Sequence, residues 1–70
     1  MDKITAKELI RLYLRAGEPL NEATEIIGKL SDAEEQKRLR RPIGEIFANL
    51  YEAMRPLVRE YPDLDPDRPT

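Results

Sequence analysis

Residues 43 to 61 place their apolar side chains three and four positions apart, which is the spacing of one face of an α-helix. At 100° per residue, these side chains fall within about 160° of a helical wheel. Pro56 lies on the polar side of the wheel, so we expect a bend there and not an end. The segment therefore predicts a long helix that needs other helices to cover it. Its apolar positions are Ile43, Ile46, Phe47, Leu50, Tyr51, Ala53, Met54, Leu57, Val58 and Tyr61.

The N-terminal part of the chain contains start and stop signals that predict two further helices. Thr5 and Glu8 form a capping box, in which each side chain satisfies a free backbone donor at a helix start. Gly17 is a typical C-terminal stop for the helix that begins there. Pro19 suits the first turn of a second helix, which the apolar spacing extends over residues 19 to 30.

The middle of the chain predicts a third helix, short and polar, over roughly residues 32 to 41. Ser31 opens a second capping box, and Pro42 predicts a break or a sharp kink because proline disfavours helical geometry at the preceding residue. The pattern leaves two possibilities open: a fourth helix that starts at Pro42, or a single helix that is kinked there. The sequence as a whole predicts an all-α fold, a small bundle of three to four short antiparallel helices, as a single domain over residues 1 to 61. Residues 62 to 70 are rich in Pro and Asp and predict an extended or disordered tail.

Composition restricts the chemistry that this chain can perform. The 70 residues include no Cys and no His, so disulfides and cysteine nucleophiles are excluded, and a zinc site would lack its usual ligands. No phosphate-binding glycine loop is present, because Gly17, Gly28 and Gly44 are isolated. We therefore predict a protein that is not an enzyme and that uses no cofactor.

The acidic residues of the tail match the start of a calcium-binding loop. Asp63, Asp65 and Asp67 stand at alternate positions, as the first ligands of a calcium loop do. The sixth position of such a loop should be glycine and is Arg68 here. The pattern favours a solvated acidic tail and predicts no metal site.

No apolar run reaches the roughly 18 residues that a membrane span requires. The N-terminus also lacks the apolar stretch and the small-residue cleavage site of a signal peptide. These absences predict a cytoplasmic protein without membrane contact.

The first predicted helix spreads its apolar residues over an arc of about 200°, wider than a single core-facing stripe. Leu14 lies at the edge of that arc, where a small bundle leaves it exposed. One interpretation is a tolerated surface leucine. The other is a contact surface that includes Ile10, Tyr13 and Leu14. Because an 8.1 kDa chain without disulfides has a thin core, the second interpretation predicts an interaction module (a regulator, adaptor or accessory subunit) that binds itself as a homodimer or binds another protein.

A basic cluster gives the alternative hypothesis, a regulator that binds nucleic acid. Lys37, Arg38, Arg40 and Arg41 place four positive charges within five residues. The cluster also fits the basic C-terminal end of a helix that begins with acidic residues, which the helix dipole favours. The net charge of −2 disfavours nucleic acid as the partner, because nucleic-acid domains usually carry a basic excess.

Overall fold

The protein folds into two long antiparallel helices joined by a short turn, in a computed structural model that describes residues 1–67. Helix α1 spans Lys3–Gly28 and helix α2 spans Ala33–Glu60. They form a hairpin that measures 47 by 21 by 16 Å. A 3-10 turn, Pro62–Leu64, follows α2 and packs beside it. None of the helices within the described residues combines the length and the apolar character needed to cross a membrane.

The prediction of an all-α fold is confirmed, but the predicted bundle of three to four short helices is wrong. Gly17 and Pro19 lie inside α1, and Pro42 lies inside α2. Gly17 does not adopt the left-handed backbone of a helix stop, because no glycine in the described chain has a positive φ. A proline in a helix interior costs about 3 kcal/mol, which the packing of one long helix against another offsets. Pro56 also lies inside α2, as the sequence predicted.

The helix starts are displaced from the predicted capping boxes. Asp2, and not Thr5, caps α1, since its carboxylate accepts a hydrogen bond of 2.7 Å from the Thr5 backbone nitrogen. Asp32, and not Ser31, caps α2 and accepts a 3.0 Å bond from the nitrogen of Glu34. At both helix starts an aspartate carboxylate, and not the predicted hydroxyl group, accepts from a free donor of the first turn.

The hydrophobic core lies at one end of the hairpin, where the first residues of the chain meet the segment that follows α2, and we call it the terminal end. Four side chains are buried there: Ala6, Ile10, Met54 and Leu57. Partly buried neighbours surround them: Leu9, Tyr13, Val58, Tyr61 and Leu64. Leu64 belongs to the 3-10 turn, so the start of the predicted tail packs on the core. The last part of that tail, residues 68 to 70, lies outside the described residues.

The other end of the hairpin, which we call the turn end, has half-buried apolar side chains and is also held by polar bonds. The Gln36 side chain donates hydrogen bonds to the carbonyls of Gly28, at 3.2 Å, and Leu30. The Lys29 nitrogen donates to the carbonyl of Ile26 at 3.1 Å. Gln36 thereby ties the first turn of α2 to carbonyls that α1 leaves unpaired.

Candidate interaction surfaces

The three candidate protein-contact residues occupy different environments. Ile10 is buried in the core at 5% exposure, and Tyr13 is partly buried against that core. Leu14 keeps 46% of its surface exposed. Ile10 is therefore already used inside the chain, and Leu14 is the most available of the three. That this group contacts a partner stays a prediction.

Leu14 borders a shallow groove of about 120 Å³ between the two helices, and we call this the groove side of the hairpin. Gly17 faces α2 there, and a Cβ at this position would make an ordinary contact at 3.8 Å with a ring carbon of Phe47. The 3-10 turn borders the same side nearer the termini, where Leu64 and Asp63 line a hollow with Leu14. The groove is lined by Tyr13, Leu14, Gly17, Asn21, Phe47, Leu50, Tyr51 and Met54.

The opposite side of the hairpin carries no charged residue over most of its length, and we call it the uncharged side. Alternating steps of four and three residues follow one stripe along a helix, as in a coiled-coil seam. Such a stripe on α1 comprises Thr5, Leu9, Leu12, Ala16, Pro19, Ala23 and Ile26. The matching stripe on α2 comprises Leu39, Pro42, Ile46, Asn49, Ala53 and Pro56.

Helix geometry places these stripes away from the groove. Leu12 lies two residues before Leu14, which is about 200° of rotation around α1. Ile46 lies five residues before Tyr51, which is about 140° of net rotation around α2. Leu12 and Ile46 are 45% and 44% exposed, and Ile26 is 66% exposed. Both helices therefore turn an apolar flank toward the same uncovered side.

The four candidate anion contacts lie together on α2 near the turn. Lys37, Arg38, Arg40 and Arg41 are all exposed and border one open depression. Within residues 1–67, none of them takes part in a salt bridge. Arg40 also reaches the end of α1, where its guanidinium lies 3.6 Å from the position of a Cβ on Gly28. A cation is favourable at a helix C-terminus, so part of this cluster serves the fold. Contact with nucleic acid stays a prediction.

Local pairing lowers the pKa values of two carboxyl groups near the terminal end. Hydrogen bonds from Thr5 lower the pKa of the Asp2 carboxyl, and the bond from Arg11 lowers the pKa of Glu8. Partial burial, followed by the negative charge of Glu60, raises the pKa of Tyr61. The Tyr61 hydroxyl donates a 2.7 Å hydrogen bond to the carbonyl of Met1. Together with the ion pair between Lys3 and Asp63, this bond joins the first residues of the chain to the segment that follows α2.

The acidic residues after α2 are arranged as a local turn. The Asp67 nitrogen donates a 2.9 Å bond to the Asp65 carboxylate. In the part of the chain that the structure describes, no three acidic side chains come close enough together to hold a metal ion. Arg68, which interrupts the calcium-loop pattern, lies outside the described residues.

No protein-family model matches this chain, no curated protein matches its sequence, and no solved structure matches its fold.

Two features of these surfaces are not in the sequence-based prediction. The sequence pattern does not show the α1 stripe if Gly17 and Pro19 are taken as a helix boundary, because a break there separates Leu12 from Ala23. In a continuous helix, the same four-and-three spacing would have revealed it. The capping role of Gln36 has no such signal, since it depends on where the turn places the end of α1.

Proposed function

We propose that this protein is a small non-enzymatic interaction module that acts by self-association. The supporting observation is the imbalance between its core and its surface. Among residues 1–67, four side chains are buried, and no large one is buried completely. Eight large apolar residues are more than a third exposed: Met1, Ile4, Leu12, Leu14, Ile26, Leu39, Ile46 and Tyr51.

Two helices cannot enclose apolar side chains on all sides of either helix. A chain of this size usually gains the missing stability from disulfides, a metal or oligomerisation. This chain has no cysteine, and each apolar Å² that a partner covers contributes about 25 cal/mol. Self-association needs no further component, so we favour it over a dedicated heterologous partner.

Molar mass in solution tests the proposal directly. We expect light scattering after size exclusion to give about twice 8.1 kDa at micromolar concentration. Refractive index should measure concentration, because three tyrosines and no tryptophan absorb weakly. A mass of one chain at every concentration up to the millimolar range would contradict self-association.

A second candidate function, binding of nucleic acid, is favoured by the four clustered cations without ion pairs. Phosphate contacts would make the affinity for a DNA duplex fall steeply between about 50 and 200 mM salt. The double variant Arg40→Gln/Arg41→Gln should then weaken binding and flatten the salt dependence. The matched control is Arg11→Gln/Arg15→Gln, which removes the same charge from α1. Equal effects of both pairs, or no binding at low salt, would contradict this candidate.

A further inference from the structure

We infer that a second copy of this chain docks on the uncharged side, so that two hairpins form a four-helix bundle with both turns at the same end. This inference rests on the proposed self-association and adds its surface and its geometry. It makes the opposite side, with Leu14 and the groove, an outer surface of the dimer.

The exposed area matches what a stable dimer requires. The chain exposes 5608 Å², whereas a compact protein of 8.1 kDa exposes about 4,500 Å². The excess of about 1,100 Å² exceeds the roughly 800 Å² that each partner buries in a standard interface. One side of the hairpin, 47 by 21 Å, supplies an area of about that size.

The uncharged side is the one that can enter such an interface without burying charge. Charged residues make up 37% of the chain, yet neither stripe on this side contains one. Burial of an unpaired charge is costly, so interface centres are depleted in charged residues. Pro19, Pro42 and Pro56 all belong to this side, where their rings add apolar surface and bring no N–H group.

The groove side is less suitable. The 3-10 turn already occupies its terminal end, where Leu64 packs on the core. Charged side chains border its hollows, including Lys7 and Arg11 on α1 and Arg55 and Arg59 on α2. A second copy placed there would have to displace the turn or pair these charges.

Side-chain sizes on the uncharged side select the orientation of the second copy. Residues whose numbers add to about 64 lie level with each other, as Gly17 with Phe47 and Gln36 with Gly28. Three of the levels on the uncharged side combine one large and one small side chain. The three such levels are Leu9 with Ala53, Ala16 with Ile46, and Ala23 with Leu39.

A two-fold axis parallel to the helices keeps these levels together. It sets α1 of one copy against α2 of the other in the antiparallel sense, so that at these three levels a large side chain meets a small one. Large residues that fill the space above small ones give the interlocking that helix packing favours. With the turns at opposite ends, α1 would face the α1 of the second copy, and the pairing of large with small would be lost.

Two variants with nearly equal exposure test the surface. Ile46→Glu places a charge on the uncharged side, and Leu14→Glu places the same charge on the groove side, at residues 44% and 46% exposed. We expect Ile46→Glu to raise the dissociation constant of the dimer at least about 100-fold, and Leu14→Glu to change it less than about threefold. Circular dichroism should accompany both measurements to record helix content.

The outcomes separate the surface from the proposed function. A dimer that survives Ile46→Glu but dissociates with Leu14→Glu overturns the inference and leaves self-association intact. A wild-type monomer at all concentrations overturns both.

Spin labels test the orientation without altering either side, so this part of the inference stays falsifiable if Ile46→Glu unfolds. Ser31→Cys introduces a single thiol at the turn of a chain that has none. Turns at the same end predict a label separation of about 20 to 30 Å, from packed helices about 10 Å apart and two label arms. Turns at opposite ends predict a separation close to the 47 Å length of the hairpin. A long distance would overturn the proposed orientation.

Discussion

The terminal end and the turn end of the hairpin are built from the same two helices but are held together differently. At the terminal end, Ile10 and Leu57 are at most 5% exposed, and the 3-10 turn adds Leu64 as a further cover. At the turn end no large side chain is buried, and Gln36 supplies bonds to the end of α1. Apolar burial stabilises one end, and a few polar bonds position the other.

This difference implies that the free energy of local opening is not uniform along the hairpin. Segments with few buried contacts open at lower cost than the core does. The turn end should therefore exchange its amide hydrogens sooner than the terminal end. It also has the most to gain from a second copy, because Leu39 and Ile26 on the uncharged side lie near the turn and are 39% and 66% exposed.

The largest effect on stability should come from shortening an isoleucine to alanine at the terminal end, compared with the same substitution at the turn end. Ile10→Ala deletes a buried isoleucine and should lower the free energy of unfolding by about 3 kcal/mol. Ile27→Ala, at a half-buried position near the turn, should lower it by about 1 kcal/mol. Urea denaturation at one fixed protein concentration measures both. Equal losses would remove the contrast between the two ends.

The polar bonds of the turn end can be removed with one substitution. Gln36→Ala leaves the Gly28 and Leu30 carbonyls without this donor and should cost about 1 kcal/mol. Hydrogen exchange should accelerate mainly near the turn. Lys37→Ala, at the exposed neighbour, is the control and should change stability by less than about 0.5 kcal/mol. The role assigned to Gln36 would be wrong if both variants behaved alike.

Gly17 is buried between the two helices and lines the groove, and alanine should be tolerated there. A Cβ would make an ordinary contact with Phe47 at 3.8 Å, and alanine favours a helix interior over glycine. Gly17→Ala should raise the free energy of unfolding by about 0.5 to 1 kcal/mol. Gly44→Ala is the control, because a Cβ there meets nothing within 4 Å. Destabilisation by Gly17→Ala alone would indicate a helix break at this position.

The smallest effect should be a loss of stability in acid, caused by carboxylates at the terminal end. The pKa values of Asp2 and Glu8 are lowered in the folded chain by Thr5 and Arg11. Their carboxylates therefore stabilise the fold fully above the ordinary pKa of these groups, and this contribution is lost as pH falls through the lowered values. We expect the melting temperature to decrease between about pH 6 and pH 3.

Asp2→Asn separates the charge of the helix cap from its hydrogen bond. Asparagine caps a helix about as well as aspartate but does not titrate. Its melting temperature should therefore depend less on pH than that of the wild type, as followed by circular dichroism. Identical profiles for the two proteins would show that the charge of Asp2 does not contribute.

Some of this architecture follows from local patterns in the sequence. The apolar spacing of residues 43 to 61 predicts the C-terminal part of α2, and the polar placement of Pro56 predicts that the helix continues through it. Start signals near Thr5 and Ser31 lie within a few residues of the true caps at Asp2 and Asp32. Local patterns suffice here because spacing and capping depend on neighbours within about one helical turn.

Only the tertiary structure decided how many helices there are. Gly17, Pro19 and Pro42 carry local penalties of about 1 to 3 kcal/mol, which read in isolation predict breaks. Packing along the hairpin outweighs these penalties, and that gain depends on residues about 30 positions apart, as for Gly17 and Phe47. The uncharged side also depends on this continuity, since its two stripes share one face only when both helices are unbroken. Local residue preferences determined the helical class, and contacts between distant residues determined the hairpin.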